Sequence, residues 1–142
     1  MYRYDYILRL IEQLSRALIA LRNHILTREV ASTEVRAELE AMARQAGIDL
    51  AVARRLDSAM LLSWLVPAGD ADEAKLWLAG ELLYLDALDQ RQSDVERYQV
   101  ALQKALAVFS RLPADWKPSD DLPSAGERAS ELQRLFADAR GE

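Results

Sequence analysis

Trp77, Glu81 and Tyr84 stand at intervals of four and three residues, which puts two aromatic rings and a carboxylate on one face of a helix. Leu78, Leu85 and Leu88 fall beside them, so Glu81 sits on an apolar side. A carboxylate buried there without a partner costs several kcal/mol or is driven neutral by a raised pKa. Two readings follow. In one, Glu81 forms a structural ion pair with an arginine of the first or third helix, such as Arg9, Arg54 or Arg55. In the other, Trp77, Glu81 and Tyr84 line a groove for a small molecule or peptide, with an arginine as counter-charge and room for enzymatic use of the carboxylate.

Other chemistry is thinly represented. His24 is the single imidazole, and positions 20, 21, 27 and 28 offer it neither carboxylate nor nucleophile, so it reads as a structural or surface residue. A bundle-type di-iron site needs Glu-x-x-His twice, and the residue three before His24 is Leu21. Five scattered glycines build no phosphate loop, and the absence of cysteine removes thiol catalysis and thiolate zinc sites. No catalytic, metal or cofactor-binding residue is expected. Trp116, in a Pro-rich stretch, is expected to pin that stretch onto the helices, and Tyr2, Tyr4 and Tyr6 to cover a neighbouring helix.

The elements that must position these residues are helices. Leu and Ala number 47 against 14 for Val, Ile and Thr combined, which leaves little material for strands. From residue 4 to 28, Ile7, Ile11, Leu14, Leu18, Leu21 and Ile25 keep spacings of four and three along one long amphipathic helix. That helix outruns an ordinary partner, so the same six residues are the candidate self-association face.

A helical pair follows over 32–66, opening at Ser32 or Thr33, interrupted by Gly47 and reopened by Asp49 as a cap. The hairpin at 70–112 starts from Asp70 with Glu73 and turns into its second helix at Ser93 with Glu96, both capping patterns. Its first helix, apolar on nearly every side from Leu76 to Leu88, is expected at the centre. A connector at 113–123 holds three of the four prolines, and a tail helix over 124–140 begins at the capping box of Ser124 and Glu127.

The hairpin resembles a tetratricopeptide repeat: Trp77 and Tyr84 are seven apart like that repeat's aromatics, Gly80 lies between them, and Ala101 to Leu106 match its small-residue second helix. No second copy recurs at a fixed period, so a solenoid is not expected. The opening DYILRLIEQLSRAL at Asp5–Leu18, the later GIDLAVARRLDSAMLL and the hairpin together resemble a family of uncharacterised bacterial proteins known as a domain of unknown function. That resemblance spans residues 4 to 112 and implies an all-helical fold ending in the hairpin, with no activity attached.

Over its 142 residues the chain carries a net charge of −5, unevenly spread: residues 1–55 hold nine arginines and seven acids, the remainder nine basic and sixteen acidic residues. Nucleic-acid binding asks for an excess of positive charge that is missing here. No apolar run is long enough for a membrane span, no export signal is evident, and the cysteine-free composition fits a cytoplasmic setting. The arginine row of the first helix leaves contact with a membrane surface as a weaker idea. The expectation is therefore a single all-α domain of five to six antiparallel helices. It would act as a non-catalytic protein-interaction or scaffolding module that self-associates as a homodimer, the alternative being a ligand-binding or enzymatic domain centred on Glu81, Trp77 and Tyr84.

Overall fold

Strong helix formers dominate the segments outside the Pro-rich stretch 113–123, and the regular structure of the described residues is accordingly all-helical. The computed structural model describes residues 2–28, 31–66, 72–91 and 93–141, with the side chains of residues 2–5 outside the description. Within it run seven helices: α1 Tyr2–Thr27, α2 Ser32–Gln45, α3 Leu50–Arg55, α4 Ser58–Leu65, α5 Glu73–Gln90, α6 Val95–Phe109 and α7 Ala125–Ala139. No strand occurs among the described residues, and no helix is long and apolar enough to cross a membrane.

The count exceeds the expected five or six because the third helix breaks in two at Leu56. Asp57 accepts a hydrogen bond from the Met60 amide and so starts α4 anew, while the Lys104 ammonium donates to the Ala53 and Arg54 carbonyls at 3.3 and 2.6 Å, satisfying the end of α3.

Two other starts move by a residue or two. Asp72 rather than Asp70 caps α5 in the description, accepting from the Lys75 amide, and Asp70 lies outside the described residues. Asp94 rather than Ser93 caps α6, through the Arg97 amide, because the Ser93 hydroxyl donates back to the Gln90 carbonyl. The α2 start has no side-chain cap; Ser32 instead donates to Asp89 at 2.7 Å, tying α2 to the end of α5. Gly47 ends α2 as expected, at φ +74°, with the Ile48 amide reaching back to the Ala43 carbonyl. Ser124 caps α7 as expected, through the Glu127 amide.

Helix α5 is the axis of the fold. Fourteen of its residues are buried, and α1, α2 and α6 all pack on it. Its contact with α6 is the most extensive in the molecule and closes around Gly80, where a Cβ would stand 2.9 Å from the Phe109 ring. Helix α7 finds its dock on α6, with Leu132 fully buried.

The connector is held from both sides. The Ala125 and Gly126 amides donate to the Trp116 and Ala114 carbonyls, each at 2.8 Å, and Trp116 itself is partly buried against the core.

The first helix spends its apolar stripe inside the same chain. Ile7, Ile11, Leu18, Leu21 and Ile25 are buried and Leu14 is partly buried in the one core that includes α5. This corrects their assignment to a self-association face. The expectation measured the helix against a single partner, whereas α1 lies along both α5 and α2.

Candidate functional site

Trp77, Glu81 and Tyr84 do share a face of α5, and all three are sealed, at 0%, 2% and 2% exposure. The groove expected around them is filled by α7 and the connector. Trp77 donates its indole N–H to the Pro123 carbonyl at 3.1 Å and meets the Phe109 ring edge-on, centroids 6.4 Å apart. Its polar tip is thus consumed by backbone rather than offered to a ligand.

The counter-charge to Glu81 is Arg128 of α7, which corrects the expected Arg9, Arg54 or Arg55. Arg128 Nε donates to Glu81 Oε1 at 2.9 Å and Nη2 to Oε2 at 2.8 Å, a planar two-point pair, with both residues buried. The remaining nitrogen, Nη1, reaches Glu131 one turn along at 3.0 and 3.2 Å. Glu131 Oε1 further accepts from Arg22 of α1 at 3.0 Å and from the Tyr84 hydroxyl at 2.9 Å.

Arg22 lies over the Tyr84 ring at 4.5 Å and Arg128 at 5.5 Å. Two guanidinium groups, two carboxylates and a phenol thus form one charge-balanced knot joining α1, α5 and α7. Arg22 Nη1 is buried without a hydrogen-bond partner among the described residues. Burial by itself would lower the Arg128 pKa, but the charges and hydrogen bonds of Glu81 and the charge of Glu131 outweigh it and the net direction is up. The Tyr84 hydroxyl is pushed up by burial, against the pull of Arg22 and with Glu131 adding to the rise.

A second polar cluster escaped the sequence reading. Asp86, also on α5 and 2% exposed, is gripped at two points by Arg54 of α3, Nε to Oδ2 at 3.2 Å and Nη2 to Oδ1 at 2.9 Å. Gln90 donates to the same Oδ2 at 3.0 Å, and Arg54 Nη1 reaches Glu40 of α2 at 2.9 Å. Asp86 was findable by the test that singled out Glu81, since it too interrupts the Leu76–Leu88 run. Lys104 was findable as well, being a cation between Leu102 and Ala105 on the buried stripe of α6.

Beside this second cluster lies a half-open cleft of about 520 Å³ between α2–α3 and α5–α6. Its floor includes Leu83, Val100 and Ala101, and Arg36, Arg55, Arg97 and Lys104 stand around it. Lys104 is 7% exposed, forms no ion pair among the described residues, and has its pKa lowered by burial against the opposing pull of the Asp57 and Asp86 charges.

Elsewhere, the Tyr6 hydroxyl donates to the Gln45 carbonyl at 3.2 Å, covering the end of α2; the side chains of Tyr2 and Tyr4 lie outside the description. His24 is partly buried near the end of α1. No group of three or more His, Asp or Glu able to hold a metal occurs among the described residues. No family model, no curated protein and no solved structure matches this chain.

Proposed function

We propose that this chain is a non-catalytic helical interaction module. The observation that carries this reading is the sealing of Glu81. The carboxylate of the candidate groove gives both oxygens to Arg128, behind an α7 that lies across the face it would use. A general acid or base needs its proton within reach of a substrate, and a two-point pair at 2% exposure denies that reach.

The surface supports the interaction side. Met60, Trp64, Val95 and Val100 are large apolar side chains left exposed on α4 and α6, two helices that pack on each other. The close approach of α5 and α6, with Gly80 admitting the Phe109 ring, is compatible with the tetratricopeptide-like hairpin expected from sequence, and such units present helix faces to other proteins. A partner of different sequence is favoured over a second copy, since the stripe that argued for self-association is spent in the fold. The lack of cysteine supports a reducing, cytoplasmic setting.

The test replaces Glu81 and Arg128 together by leucine and compares proteins cross-linked to the wild-type and double-variant chains in lysate of the source cells. A shared set of specific partners is expected. A wild-type chain that captures none, while a metabolite raises its melting temperature and leaves the double variant unmoved, would move the function to the interior cluster.

A further inference from the structure

We infer that the cleft between α2–α3 and α5–α6 docks an acidic amphipathic peptide segment of a protein partner, its carboxylates on Arg36, Arg55 and Lys104 and its apolar side chains on Leu83, Val100 and Ala101. This rests on the interaction reading and names where and what the module binds.

Cations outnumber acids in the lining of the cleft, where Arg36, Arg54, Arg55, Arg97 and Lys104 stand against Glu96. Arg54 is committed to Asp86 and Glu40 and acts as a fixed wall. Arg36 and Arg55 are exposed and make no ion pair among the described residues, and Arg97 has only a 3.4 Å contact with its neighbour Asp94.

Lys104 is the strongest pointer. An ammonium has three N–H donors, and two go to the Ala53 and Arg54 carbonyls, leaving one donor on a nearly buried cation that feels the charges of Asp57 and Asp86 but makes no ion pair among the described residues. A buried charge in that state is costly, and an incoming carboxylate relieves the cost.

The occupant is narrowed by what surrounds the cations. The cleft sits on a chain of net charge −5 with Glu96 at its edge, so a long, uniformly charged polymer such as nucleic acid meets repulsion around it. A bare phosphate would leave the apolar floor uncovered, with Val100 half exposed. A short segment carrying a few carboxylates between leucine-like side chains satisfies both the floor and the cations.

The probe is a fluorescein-labelled peptide of about twelve residues alternating Glu and Leu pairs, followed by anisotropy at low salt. Binding is expected, weakened by about tenfold or more in R36E/R55E and unchanged within about twofold in R9E/R16E, an equal charge change on the exposed side of α1. Lys104→Met, read beside its melting curve, is expected to weaken binding in the folded protein. The matched Gln and Leu peptide is expected not to bind.

Equal losses in the two double variants, equal binding of the Gln peptide, displacement by inorganic phosphate at matched charge, or no binding would each overturn the proposal. So would a wild-type dimer that R36E/R55E dissociates, which would make the occupant a second copy. Partners cross-linked alike by wild type and R36E/R55E would overturn the cleft and leave the interaction reading standing. Their absence from both would count against that reading itself.

Discussion

Glu81 and Arg128 illustrate why a buried charge constrains its partner more than it stabilises the fold. Forming the pair removed two ions from water, and the attraction roughly repays that cost. Removing one member leaves the other stranded. Arg128→Met is therefore expected to cost about 3–5 kcal/mol in urea unfolding, whereas Glu81→Leu with Arg128→Leu should come out near neutral. A single variant as stable as wild type would mean the interior admits water to Glu81.

Tyr84 adds a pH dependence with a definite sign. Burial raises its pKa, and that of Tyr98, so the folded chain keeps both protons where the unfolded chain has begun to lose them. Their contribution is intact below about pH 10 and lost as pH rises beyond it. Lys104 works in the opposite direction, because its lowered pKa lets the folded chain shed a proton first. Tyr84→Phe should consequently flatten the fall in stability from about pH 9 to about 11, measured by denaturant titration at each pH. It should also cost about 1 kcal/mol at neutral pH for the lost hydrogen bond to Glu131. At this scale the sequence disclosed that Glu81 needs an arginine but not which, since the partner lies 47 residues away in a helix whose docking depends on the connector.

Periodicity disclosed the helices well and their ends less well. Hydrophobic spacing depends only on neighbours a turn away, so α1, α5 and α6 could be drawn from Ile7 to Ile25, Leu76 to Leu88 and Val95 to Leu112 alone. The break between α3 and α4 could not, because Asp57 can start a helix only if the carbonyls before it are satisfied, and a lysine some fifty residues on satisfies two of them.

The α5–α6 contact yields the sharpest test at this scale. Gly80→Ala should gain helix propensity of up to about 1 kcal/mol in an open helix, but here its Cβ meets the buried Phe109 ring at 2.9 Å. Overpacking of that kind costs about 1–3 kcal/mol, so a net loss is expected, and Phe109→Leu added to it should lose less than the two single changes summed. Strict additivity of the melting shifts would show that the ring is not what the methyl meets.

Across the whole molecule the uneven charge becomes legible as internal wiring. The N-terminal part supplies Arg22 and Arg54, the acidic remainder supplies Glu131 and Asp86, and the pairs they form tie α1 to α7 and α3 to α5 within one chain. Complementary halves read from sequence leave open whether they meet within a chain or between copies; burial of the α1 stripe favours the first. Light scattering at micromolar concentration is then expected to return the mass of one 16.0 kDa chain. Ile11→Ala or Leu18→Ala, each emptying a fully buried position of α1, should lower stability by about 2–5 kcal/mol without altering that mass. A dimer that these substitutions dissociate into folded monomers would return the stripe to an interface, because only a face turned toward a second copy can be cut back without opening a cavity in its own chain.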